Sequence, residues 1–138
     1  MARILAIDYG LKRCGIAVTD PLQMIASPLT MIVTHQLNKF LSEYLQKEDV
    51  ETIVIGKPVD LRNQATEMTK EVERLGTRLQ KAHQNINFQF QDERFTSKIA
   101  QQSMLMGGMK KKDRRNKGNV DKISATLILQ SYLERNKI

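Results

Sequence analysis

Residues 52–56, Thr-Ile-Val-Ile-Gly, form a short, almost wholly apolar and mostly β-branched run. A strand with that pattern has no polar face to turn towards water. It must be covered on both sides, as in the centre of a parallel sheet flanked by helices. That requirement selects a layered α/β fold. The rest of the chain supplies the layers. Residues 3–8 (RILAID) and 14–19 (CGIAVT) are apolar runs joined through Gly10 and Leu11-Lys12-Arg13, the pattern of a β-hairpin. A third strand is expected at Leu29–Val33, after the Ser27-Pro28 break.

The period then changes. Leu37, Phe40, Leu41, Tyr44 and Leu45 recur at helical spacing, as do Ala65, Met68, Val72, Leu75, Leu79 and Ala82. Residues 86–90 (INFQF) alternate as a strand leading into Asp92-Glu93, and Thr96 can cap a helix running to about Met106. Asn119 can cap a final helix whose apolar residues nearly encircle it, which predicts the most buried helix of the fold. The order βββαβαβαα gives a mixed five-stranded sheet, three antiparallel strands and then two parallel ones, flanked by helices. With 138 residues and no linker or repeat, the expectation is a single domain over 1–138.

Composition narrows the partners. Lys plus Arg is 22 against 15 acidic residues, a net charge of +7 that suits a polyanion such as nucleic acid. A membrane surface or simple solubility explains a basic balance equally well. The single cysteine, Cys14, has no partner for an internal disulfide, and no Cys/His set has zinc spacing. No apolar run approaches a membrane span or a signal segment, so a cytoplasmic protein is expected.

Three acidic residues stand apart from those that sit beside Lys or Arg on helix faces. Asp8 ends the first strand, Glu93 follows the last, and Asp121 falls in the first turn of the final helix. Singly, each has an ordinary explanation as a turn former or a favourable charge at a helix start. Together they lie at element ends that an open α/β sheet gathers at one edge. Three converging carboxylates repel unless a cation lies between them, and an oxygen-only set favours Mg²⁺ or Mn²⁺ over zinc. Two such ions about 4 Å apart can activate water against a phosphodiester without a side-chain nucleophile.

The segment Lys110-Lys111-Lys112-Asp113-Arg114-Arg115-Asn116-Lys117 is either a clamp on a phosphate backbone or a solvated loop. Lys12 and Arg13 either touch the scissile strand or are ordinary turn charges. Arg94 either orients Glu93 or contacts a phosphate. With 5% aromatic residues and no Trp, nothing suggests a base-stacking sheet, so grip by backbone and shape is expected.

Four blocks carry a family resemblance: Ile7–Gly10 with Lys12–Asp20, Ile53–Pro58, Asp92–Ser97, and Val120–Ala125 with Leu127–Gln130. In this order and spacing, over essentially the whole chain, the sequence resembles the YqgF/RuvX family, a Holliday-junction-resolvase-like group of the ribonuclease-H-like superfamily. The resemblance implies a metal-dependent nuclease acting in 5′-end maturation of precursor 16S ribosomal RNA, with Asp8, Glu93 and Asp121 as its acidic triad. Cys14, Asn63, Phe95 and Ser97 depart from the commoner family residues, and none touches the triad. Two other functions compete. One is a resolvase of four-way DNA junctions, which requires a symmetric dimer. The other is a non-catalytic RNA- or ribosome-binding protein whose carboxylates only hold an ion. A monomer or weak homodimer is expected. A nucleotide-hydrolysing hairpin of the actin-like kind is excluded, because that chemistry needs two such domains around one nucleotide.

Overall fold

The first three strands, β1 (Arg3–Asp8), β2 (Arg13–Thr19) and β3 (Ala26–Val33), form an antiparallel meander, seen in a computed structural model that describes residues 2–57, 67–92 and 117–135. A 3₁₀ turn (Thr34–Gln36) leads into α1 (Leu37–Lys47), then β4 (Val50–Lys57), α2 (Glu67–Ala82), β5 (Asn87–Asp92) and α3 (Lys117–Arg135). The sheet order is β3-β2-β1-β4-β5, with β4 parallel to both β1 and β5. This is the expected mixed sheet, and the apolar run at 52–56 lies inside it, one strand from an edge.

Strand alternation divides the core into two layers. Leu5, Ile7, Cys14, Ile16, Ile53 and Ile55 point to one face, where Leu37 and Leu41 of α1 and Val72, Leu75 and Leu79 of α2 cover them. Ile4, Ala6, Ala17 and Val54 point to the other, under Ala125, Ile128 and Leu129 of α3. The second layer is thin because three of its members are alanines, and the α3 backbone can therefore lie close to the sheet. α3 packs against all five strands, as the near-encircling apolar pattern predicts.

The element ends differ from expectation at three places. β3 begins at Ala26 and runs through Pro28, which is tolerated because this is an edge strand with a register shift opposite Ile16/Ala17. β5 covers Asn87–Asp92, because Gln91 and Asp92 still pair with Gly56 and Lys57. The second helix is described from Glu67, and Ala65 of its expected apolar series lies outside the described residues. α3 starts at Lys117, so Asn119 is inside it and Asp121 is its fifth residue, past the first turn. The helix expected from Thr96 to Met106 lies outside the described residues. Among the described residues, no helix is long and apolar enough to cross a membrane.

Candidate active site

β1 and β5 are parallel and separated only by β4, so their carboxyl ends share one sheet edge. Asp8 is the last residue of β1. Its partner on β2 is Gly15. On the other side Ile7 pairs with Ile55, which brings Asp8 level with Gly56, and Gly56 pairs with Gln91. A row Gly15, Asp8, Gly56, Gln91 therefore crosses the sheet at its carboxyl edge. Both strand neighbours of Asp8 lack side chains, which leaves room beside its carboxylate. Gln91 stands two strand spacings away, about 10 Å.

Parity fixes the faces. Asp8 continues the series Ile4, Ala6, and so lies on the α3 side of the sheet. Phe88 packs with the α1/α2 layer and the Phe90 ring meets Gly76 of α2, so Gln91 alternates to the α3 side too. Two buried oxygens, Gln91 Oε1 and Ser124 Oγ of α3, have no hydrogen-bond partner among the described residues. Buried polar atoms are normally satisfied, and orphaned ones mark where water, an ion or a ligand belongs. The polar side-chain atoms on this side of the sheet, those of Asp8, Gln91 and Ser124, are chiefly oxygens. Cys14, the one thiol, belongs to the opposite layer. That chemistry fits a hard divalent cation and does not suit zinc.

The sequence-predicted residues divide as follows. Asp8 lies at the carboxyl edge, half-buried and engaged in an interaction of its own. Asp121 is in α3, one helical turn before Ala125 of the sheet-facing stripe, and its side chain is outside the described part. Glu93 follows the last residue of β5 and lies outside the described residues, as do Arg94, Lys110, Lys111, Lys112, Arg114 and Arg115. Lys117 is the first residue of α3, and its side chain is likewise not described. Among the described side chains, no three His, Cys, Asp or Glu residues form a cluster suited to a metal.

Lys12 and Arg13 sit at the β1–β2 hairpin, Lys12 exposed and Arg13 half-buried opposite Val33. Tyr9, next after Asp8, packs against the α1/α2 layer, where burial pushes its phenol above the ordinary value. The hairpin is held from outside by Thr34, which donates its Oγ1 hydrogen to Gly10 O at 2.6 Å and its backbone N–H to Lys12 O at 3.0 Å. Sequence reasoning passed over Gly15, Gly56, Gln91 and Thr34. The two glycines carried a signal, one inside each apolar run. Thr34 and Gln91 carried none, because their roles arise from pairing between distant segments.

Comparison with known proteins agrees with this architecture. The family model described as RuvX, Holliday junction resolvase, matches residues 2–135. Proteins provisionally named pre-16S rRNA nuclease from Phocaeicola vulgatus and Bacteroides thetaiotaomicron are 55% and 51% identical, each over 99% of both chains. Thermus thermophilus RuvC, solved in complex with a Holliday junction substrate, superposes with a TM-score of 0.60 at 18% identity, covering 99% of this chain and 97% of that one. The chain therefore belongs to the RuvX family of nucleases, hydrolases acting on phosphodiester bonds, and has the ribonuclease-H-like fold.

Proposed function

We propose that this protein is a divalent-metal-dependent nuclease that trims precursor 16S ribosomal RNA at its 5′ end, with Asp8, Glu93 and Asp121 as the acidic residues of the site. The observation that carries the reading is the position of Asp8. It stands at the carboxyl edge between two glycines, on the face covered by α3, with the orphaned oxygens of Gln91 and Ser124 on the same side of the sheet. The names of the two relatives supply the substrate class.

Asp8, Glu93 and Asp121 would hold Mg²⁺ or Mn²⁺, ions whose bound state acidifies water and offsets charge developing on a phosphate. The carboxylates set the position of that charge, and the cover of α3 over Ala6 and Val54 limits access of bulk water from beneath. Lys12, Arg13 and Arg94 supply cations close in sequence to the acids, with Lys110, Lys111, Lys112, Arg114, Arg115 and Lys117 as the wider grip on the backbone. The site acts in the cytoplasm, where ribosomal RNA precursors are processed.

A second reading, cleavage of four-way DNA junctions, is favoured by the description of the family. Labelled precursor RNA and a labelled four-way junction, incubated side by side with Mg²⁺ or Mn²⁺, separate the two. Cutting of the RNA alone supports the proposal, and cutting of the junction alone replaces it with the second reading. Binding of RNA without turnover in either metal leaves a scaffold protein.

A further inference from the structure

The hairpin next to Asp8 presents a side chain that the hydrolytic chemistry does not use. Leu11 is 72% exposed, the most exposed large apolar residue among the described ones. A solvated leucine alone means little, since isolated apolar residues on surfaces are common. What distinguishes Leu11 is how its backbone is held. The two carbonyls that flank it, those of Gly10 and Lys12, both accept from Thr34, at 2.6 Å and 3.0 Å. The single hydroxyl hydrogen of Thr34 goes to Gly10 O, so in the 3.5 Å contact between Cys14 Sγ and Thr34 Oγ1 the thiol donates. The turn has no slack either, because a Cβ at Gly10 would stand 2.6 Å from Arg13 O. One residue at the start of the 3₁₀ turn thus fixes a tip that turns Leu11 into solvent, three residues from Asp8 and beside Lys12 and Arg13.

An apolar side chain carried on a backbone held at both flanking carbonyls, next to two cations, suits a partner with apolar faces strung on an anionic backbone. An unstacked nucleotide of a single strand has that chemistry. We infer that Leu11 packs against a base or sugar of the substrate strand beside the scissile phosphate, and that Thr34 is the positioning residue that holds it there. The inference rests on the nuclease reading, and the experiment below separates failure of one from failure of the other.

The probe is a fluorescein-labelled single-stranded segment of precursor 16S RNA, titrated with the Asp8→Asn protein in Mg²⁺ across a salt series. Leu11→Ala in that background weakens binding about tenfold with an unchanged salt slope, because no charge is removed, whereas Lys12→Ala flattens the slope by about 0.7. Leu11→Phe keeps the affinity. Thr34→Val reproduces the Leu11→Ala loss, and Thr34→Ser, which restores the hydroxyl, recovers the parent affinity. Leu11→Ala leaves the melting temperature unchanged, since the side chain is solvated. Affinity of Leu11→Ala within twofold of the parent overturns the contact. A Thr34→Val protein that binds as tightly as the parent, or a Thr34→Ser protein as weak as Thr34→Val, overturns the positioning role. If the parent binds no precursor RNA at any salt concentration, the nuclease reading has failed and the Leu11 contact falls with it.

Discussion

Ile128 and Leu129 are the two large side chains that α3 buries fully in the layer against the sheet, and truncating Ile128 should be unusually costly. It is fully buried between the α3 backbone and the layer of Ile4, Ala6, Ala17 and Val54. Ile128→Ala removes three carbons, a transfer loss of about 2.4 kcal/mol at roughly 0.8 kcal/mol per buried group. The second part is the cavity. Ala6, Ala17 and Ala125 have no length with which to fill the gap, so roughly 60 Å³ should stay open and add about 1.5 kcal/mol. The sum, about 4 kcal/mol, is a large fraction of the roughly 5–15 kcal/mol that such a domain possesses. With a urea slope of about 2 kcal/mol per molar, the unfolding midpoint should fall by about 2 M. The exposed neighbour Gln130→Ala is the control and should move it little. A fall below about 0.7 M for Ile128→Ala would mean that α3 settles onto the alanines, and the idea of an unfillable layer would be wrong.

Other expectations concern the periphery. The Asp20 carboxylate accepts the backbone N–H groups of Ile25 at 2.8 Å and Met24 at 2.9 Å, and these bonds hold its pKa below the ordinary carboxylate value. The depressed folded-state value makes its contribution complete above the unfolded carboxylate pKa and lost as pH falls through the folded one. Hydrogen exchange of the Met24 and Ile25 amides, corrected for intrinsic pH dependence, should therefore lose protection on the acid side, and Asp20→Asn should remove that acid transition. Gly76→Ala places a Cβ 2.7 Å from the Phe90 ring tip, but that ring is one-third exposed and can swing outward. The helix-propensity gain of up to about 1 kcal/mol offsets the shift, so urea unfolding should stay within about 1 kcal/mol of the parent. Replacing Lys110, Lys111, Lys112, Arg114 and Arg115 by Gln should weaken RNA binding and flatten its salt dependence by about 0.7 for each phosphate no longer neutralised. An unchanged slope removes that segment from the interface.

Much of the architecture was legible because its signals are local and periodic. The apolar run at 52–56 marked a strand covered on both faces, and β4 is such a strand. The helical spacing from Leu37 and Val72 marked the faces that cover one side of the sheet. The misplaced ends were those decided by partners elsewhere. Pro28 reads as a breaker, but on an edge strand beside a register shift its missing N–H is tolerated, so β3 starts earlier. Gln91 and Asp92 look like a polar exit, yet Gly56 and Lys57 still pair with them. Of the site, Asp8 was legible from an acid ending an apolar strand. The row of Gly15, Gly56 and Gln91 that frames it exists only once the register is set. The clamp by Thr34 was equally invisible, since it joins residues 24 apart in the chain.

The account stands on the carboxylate of Asp8 acting in metal-supported hydrolysis, and one comparison tests that most directly. Cleavage of precursor 16S RNA is followed for the wild-type protein and for Asp8→Asn, each titrated with Mn²⁺ and each checked for an unchanged fold by circular dichroism and urea unfolding. The account predicts Mn²⁺-dependent cutting by the wild type and none by the folded variant at any metal concentration. Cutting by folded Asp8→Asn at the wild-type rate would contradict it.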